Sequence, residues 1–313
     1  MTVRSLKSAA NARLISVLIL LAVSGACATS AVSHRAIAIA DADREAKLAL
    51  AMEAQLDVAR IPARSLSVLA FTVAARDTLL QPLGFGLAAL LLSDLAVTDH
   101  FVLVERLRID AILRELDLVE EGRMDPRNAP RVGRLIGARR LLIGDISADA
   151  NDNIVVNARI VDVIAGTVEH LVSARAPLAR VIDAEKELAF RVFEALDIAL
   201  TPSQRARVEQ RQTTDLAATV AYGRGVEAEA RGDAIGAVAA FEEAVRLDAA
   251  FAAARGHLAA TPSGTSQRGV GAQRVLALSA QVINGAAPTK LPEAVDVPLN
   301  ARILSLLITI RVF

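Results

Sequence analysis

Apolar residues along the chain change their period repeatedly, and each change marks an element. Leu14–Val23 (LISVLILLAV) is an apolar run of ten residues, too short for a membrane span, which needs about 20 residues. Asp41–Ala59 has helical spacing, with Asp43 and Glu45 near its start, where acids suit the helix dipole, and Pro62 as a stop. Ser65–Val73 (SLSVLAFTV) reads as a short apolar strand bounded by Arg76 and Asp77. Pro82 then opens a helix with a broad apolar face ending near Val97. Phe101–Glu105 is a second strand, and Arg106–Leu118 an amphipathic helix with Leu107, Ala111, Leu113 and Leu118 near one stripe. Pro126 starts a helix through Ile136 that Gly137 stops, and Arg140–Ser147 is a third strand. After the turn signal Asn151-Asp152-Asn153, the strands NIVVNARIVDV and TVEHLVSAR join at Ala165-Gly166. Pro177 closes the sheet, and a helix runs from Leu178 to Leu200. Alternation of this kind predicts an α/β domain with a mixed sheet over residues 63–201.

Thr201-Pro202 opens a small all-α region, expected over residues 202–262. Within it, Ala218–Ala250 resembles one tetratricopeptide repeat. Gly225, Ala237, Phe241 and Ala244 stand at its packing positions, and Gly232-Asp233 makes the turn between its helices. Ala221 and Ala249 replace the usual Trp and closing Pro. Phe251–Ala260 reads as the first helix of a second repeat, cut short by Thr261-Pro262-Ser263-Gly264. A lone repeat cannot bury its own apolar faces. It must pack on the α/β domain, on a second copy or on a partner, and its contact residues are expected at Tyr222, Arg224, Glu227 and Phe251. Burying one such aromatic at an interface contributes on the order of 2 kcal/mol.

Residues 263–290 are rich in Gly, Ser, Ala and Gln and read as a flexible linker. The last segment, 291–313, ends in an alternating stretch, Arg302–Phe313. There Leu304, Leu306, Ile308, Ile310 and Val312 share one face, opposite Ser305, Thr309 and Arg311. Its terminal Phe resembles the end of an outer-membrane barrel, but the sequence holds no further set of such strands. The expectation is a final strand added to an existing sheet.

The N-terminus carries an address. Arg4, Lys7 and Arg13 precede the apolar run, and Ser24, Gly25 and Ala26 supply small residues before Cys27, the only cysteine. Residues 1–26 therefore read as an export signal. The stretch Val23–Cys27 resembles a bacterial lipobox, with Ser24 where Leu is usual, and makes Cys27 the candidate lipidation site. Cleavage within Ala26-Cys27-Ala28 would instead discard the cysteine. Ala28, in place of an Asp, points to outer-membrane rather than inner-membrane retention. Residues 27–62 then form a lipid tether and helix.

Composition narrows the chemistry. Lys+Arg and Asp+Glu number 35 each, and removing the signal leaves a net charge of −3. That gives no basic field for nucleic acid. A single cysteine excludes an internal disulfide framework, and 3% aromatic content leaves little for stacking bases or sugars. His34, His100, His170 and His257 are scattered without metal-ligand spacing. Asp183, Glu185 and Glu187 sit at a helix start, where acids belong electrostatically. Gly84-Phe-Gly86 with Glu105 imitates a dinucleotide fingerprint, but about ten residues separate Gly84 from the preceding strand, which the fingerprint does not allow. No catalytic residue, metal or cofactor is expected.

The run SVLAFTV, the stretch PLGFGLAALLLSDLAVTDHFVLVERLRIDAILRELDL, then PRVGRLIGARRLLIGDIS and NARIVDVIAGTVEH together resemble the CsgG family, the curli production assembly/transport component, and the related FlgO-like proteins. The resemblance covers about residues 63–200. It implies an exported, often lipidated protein at the outer membrane, a compact α/β domain, no enzymatic activity, and a role in assembly or secretion of surface structures. Pore-forming members carry two barrel hairpins per subunit. Here the turn at Ala148–Asn153 is too short to hide one, and Ile154, Val156, Ala158 and Ile160 oppose Asn157 and Arg159, which suits a half-buried sheet better than a lipid-facing wall.

The expectation is a non-enzymatic periplasmic scaffold or adaptor at the outer membrane, with protein partners, a lipid anchor, no nucleic acid and a possible homo-oligomer. The alternatives are a subunit of a ring-forming export channel and, remotely, a nucleotide-dependent enzyme at Gly84–Gly86.

Overall fold

The computed structural model describes residues 31–74, 78–117, 128–149 and 153–259. Cys27, Arg76, Asp77, Pro126, the linker over 263–290 and the alternating segment Arg302–Phe313 lie outside the described residues.

Helix α1 covers residues 31–51. Arg35, Ile39, Ala42, Ala46 and Ala49 are buried along it, a spacing of fours and threes that draws one stripe down a helix of period 3.6. The helix expected at Asp41–Ala59 thus begins earlier. It ends sooner too, giving way to 3-10 turns at Glu53–Gln55 and Val58–Arg60. Its small apolar stripe shares a core cluster with the third and fourth helices, so it is docked on the body.

Among the described residues six strands form a mixed sheet: β1 Ser65–Val68, β2 Thr72–Ala74, β3 Val102–Leu103, β4 Arg140–Ala148, β5 Asn153–Asp162 and β6 Thr167–Pro177. The order is β3-β1-β4-β5-β6, with β2 also pairing β4. Pairing is parallel for β1–β3, β1–β4 and β2–β4, and antiparallel for β4–β5 and β5–β6. The strand expected over Ser65–Val73 is broken in the middle. The amide of Leu69 donates to the Leu142 carbonyl at 3.0 Å, and that of Phe71 to the Gly84 carbonyl at 3.0 Å. Phe71 is thereby turned into the core, and the chain touches a helix before it rejoins the ladder.

Helices α2 Leu83–Leu95 and α5 Val181–Ala195 cover one face of the sheet, and α3 Arg106–Glu115 and α4 Ala129–Ile136, with α1, cover part of the other. Gly137 ends α4 at φ 73°, a backbone conformation that glycine adopts freely. Helix α5 is shorter than the expected Leu178–Leu200. Asp197 takes φ 54°, and the Ile198 amide returns to the Phe193 carbonyl at 2.9 Å, a hydrogen bond that closes a helix. On α3 the fully buried residues are Arg108, Ile109, Asp110, Ala111 and Ile112; of the expected stripe Ala111 is among them, and Leu107 and Leu113 pack partly buried on the same cluster.

Four further helices follow: α6 Pro202–Glu209, α7 Leu216–Ala230, α8 Ala234–Leu247 and α9 Ala252–Ala259. Thr201 and Gln204 form a reciprocal capping box on α6, and Gly232, at φ 81°, makes the α7–α8 turn. Tyr222, Phe241 and Phe251 from these helices belong to the same core cluster as Leu87 and Phe193. The apolar face of the hairpin is therefore buried within this chain.

Candidate functional site

The glycines that imitate a nucleotide loop are occupied by protein backbone. A Cβ at Gly84 would lie 1.9 Å from the Phe71 carbonyl oxygen, and one at Gly86 would lie 3.2 Å from Gly223 Cα. One at Gly223 would lie 2.1 Å from the Pro82 carbonyl oxygen. Small residues let α2 approach the β1–β2 connection on one side and α7 on the other. The surface a pyrophosphate would use is thus a helix–helix contact, which corrects the remote reading of Gly84–Gly86 as a nucleotide loop.

The residues expected to meet a partner separate into two kinds. Tyr222 is 2% exposed and Phe251 0%, with ring centroids 5.0 Å apart. Phe241 and His257 stack beside them at 4.3 Å. Both expected aromatic contacts therefore point inward, because α9 folds back over α7 and closes the face that the repeat alone would leave open. Arg224 is exposed, and Glu227, half-buried, pairs with Arg231 at 2.8 Å. The four positions do not share one surface.

What α7 and α9 enclose is a charged junction. Glu229, on the same face of α7 as Tyr222 and Val226, is buried. Its Oε1 lies 2.6 Å from Arg35 of α1 and 3.1 Å from His257 Nδ1 of α9. Arg35 also donates to the His257 carbonyl, and the Tyr222 hydroxyl lies 3.4 Å from His257 Nε2. From α3, Arg114 donates to the carbonyls of Glu229 (3.3 Å) and Ala230 (2.6 Å) and pairs with Asp43 of α1. Two turns back on α3, Arg106 lies 3.5 Å from Asp110 and over the Phe85 ring.

Burial works against the Glu229 carboxylate, but His257, then Arg35 and Arg106, outweigh it and hold its pKa below the usual range. Asp110 goes the other way. Burial, with Glu229 adding repulsion, raises it to about 6 against the pull of Arg106. Burial also lifts the Tyr222 hydroxyl above the ordinary phenol range, helped by Glu229. These groups serve one another, and what they can do is fasten α1, α3, α7 and α9 together. Tyr222 and His257 stand out in the sequence for other reasons, and Glu229 on the apolar face of α7 is the one local sign of a buried cation, which itself comes from a distant segment.

A second buried cluster joins α2 to α5. The Lys186 ammonium lies 2.6 Å from Asp94 and 3.3 Å from Glu185. Burial, then the neighbouring Asp94, pushes Glu185 well above the carboxylate range, and burial raises Asp94 as well, against the pull of Lys186. Glu185, expected at the helix start as a partner of the dipole, is buried in the core beside Lys186 and Asp94. A cleft of about 310 Å³ opens where α5 starts, lined by Arg180, Asp183, Arg211 and Thr214 among others. Arg211 is bound to Asp183 at 2.7 Å. Among the described residues no group of three or more His, Cys, Asp or Glu is placed to hold a metal ion.

Residues 59–151 match the family described as curli production assembly/transport component CsgG. The chain carries a CsgG-like domain. The matched stretch takes in β1 to β4 with α2, α3 and α4. The remaining strands of the sheet, β5 and β6, and the helical hairpin lie beyond the matched residues. Solved structures similar to the chain include the LpoB C-terminal domain from Salmonella enterica, at 17% identity over 42% of this chain and 94% of that one, with a TM-score of 0.32. The LpoB C-terminal domain from Escherichia coli has 17% identity, covers 40% and 94%, and scores 0.31. The NMR structure of E. coli LpoB has 16% identity, covers 36% and 56%, and scores 0.30. Among curated proteins no significant match is found.

Proposed function

We propose that the protein is a non-enzymatic scaffold or adaptor on the periplasmic side of the outer membrane, held there through Cys27, and serving the assembly or secretion of surface structures by protein contacts. The observation that carries this reading is the CsgG match over residues 59–151, a family whose description names assembly and transport. Two features of the fold support it. The helical hairpin rides on α2 as part of the same body, so its outer residues, such as Arg224 and the 71% exposed Ile235, are carried rigidly with the CsgG-like domain. The apolar row of β5, Ile154, Val156, Ala158 and Ile160, lies in the core formed with α2 and α5. That is the arrangement of a covered sheet, and it favours an adaptor over a barrel-forming subunit.

The test is photocrosslinking in intact cells from probes placed at Arg224 and Ile235. The adaptor reading expects defined heterologous products from these two positions and few from a probe on exposed Leu79. Crosslinks confined to a single copy of the chain would overturn it.

A further inference from the structure

Strand β6 is an edge with no neighbour on its outer side among the described residues. It pairs with β5 and with no other described strand, and its eleven residues make it the longest strand described. Long edges with exposed apolar side chains invite another strand, and here Leu171 is 74% and Val168 44% exposed. The two sides of β6 differ. Ala174 and Ala176 lie under α5 in the core, whereas Leu171, Ser173 and Arg175 look out from the uncovered face. An added strand would need an apolar row for the first side and a mixed row for the second.

Such a row stands at the other end of the same chain. In Arg302–Phe313, Leu304, Leu306, Ile308, Ile310 and Val312 alternate with Ile303, Ser305, Leu307, Thr309 and Arg311. That is one wholly apolar row and one mixed row, the pattern of a strand covered on one face. Its twelve residues match the eleven of β6 in length. The intervening chain, 260–301, has 42 residues and could extend to about 140 Å. That reaches any edge of a molecule this size.

We propose that residues 302–313 pair with the outer edge of β6 in the same molecule, with the Leu304–Val312 row on the α5 side and Leu307 beside Leu171. The segment thereby covers an edge that would otherwise recruit a second chain. This inference does not depend on the adaptor reading.

Hydrogen exchange read by mass spectrometry tests it, on the exported chain carrying Cys27→Ser to keep it free of membrane. Three forms are compared: the full chain, a chain ending at residue 301, and the full chain with Ile308→Pro, which removes a strand donor and fixes φ. Exchange in the peptide covering Thr167–Pro177 is expected to be at least tenfold faster in both altered forms. Exchange in β4, two strands inward, should be unchanged, which separates edge release from unfolding. Equal exchange in all three forms would overturn the proposal. Protection that disappears on dilution would also overturn it, assigning the edge to a second copy.

Discussion

Gly225 and Gly256 make opposite predictions for the same substitution. A Cβ at Gly225 would stand 2.5 Å from the Phe241 ring, inside a packed aromatic cluster, whereas one at Gly256 meets nothing within 4 Å. Gly225→Ala should destabilise the protein by about 1–3 kcal/mol, the usual cost of overpacking. Gly256→Ala, on the exposed side of α9, should stabilise it by up to about 1 kcal/mol through helix propensity. Urea midpoints check both, and a neutral Gly225→Ala would mean that the rings stand apart. Asp110 gives a prediction in pH. Its pKa is raised from 3.8 to about 6 by burial, so between those values the folded state holds a proton that the unfolded chain has lost. Stability should therefore fall as pH rises through that window, by at most about 3 kcal/mol from this group. Asp110→Asn should flatten the slope between pH 4 and 6. Some slope of the same sign should persist from Glu185, which is also raised. An unchanged profile would place the titration elsewhere.

Helix α1 behaves as an integral element, and Arg114 is the residue through which it meets α7. Its guanidinium binds the Glu229 and Ala230 carbonyls of α7 and the Asp43 carboxylate of α1 at once. Removing it leaves those acceptors in a half-buried site, so Arg114→Ala should cost about 2–3 kcal/mol. Amide exchange should quicken in α1 and α7 together; a change confined to α3 would contradict the coupling. At this scale it also becomes clear which elements the sequence could announce. The β5–β6 turn at Gly166, the end of α4 at Gly137 and the α7–α8 turn at Gly232 all have positive φ, and each rests on a local glycine signal. The break inside Ser65–Val73 was not legible, because it depends on the Gly84 and Leu142 carbonyls, which come from other elements. Nor was the junction around Glu229, since Arg35 and His257 meet across 222 positions of chain. Tyr222 and Phe251, expected at a partner surface, are buried within the chain; the repeat pattern alone could not say that α9 would fold back over them.

For the whole molecule, the docked α1 sets a distance. The helix is formed by residue 31, four positions after Cys27, so an acyl chain on that cysteine would hold the body within roughly 15 Å of the bilayer. Cys27→Ser should move the protein from the outer-membrane pellet to the soluble periplasmic fraction, and unchanged pelleting would remove lipidation from the account. The CsgG-like domain and the helical hairpin share one core, so the proposed adaptor would meet its partners as a single rigid body. The most direct test of that claim is the native mass of the mature protein, extracted gently from outer membranes and measured by light scattering after chromatography. One or two copies is the predicted result, with the outer faces of α7 and α8 free for a partner. A closed assembly of many copies would contradict it, turning those faces into subunit interfaces and the protein into a ring-forming export component.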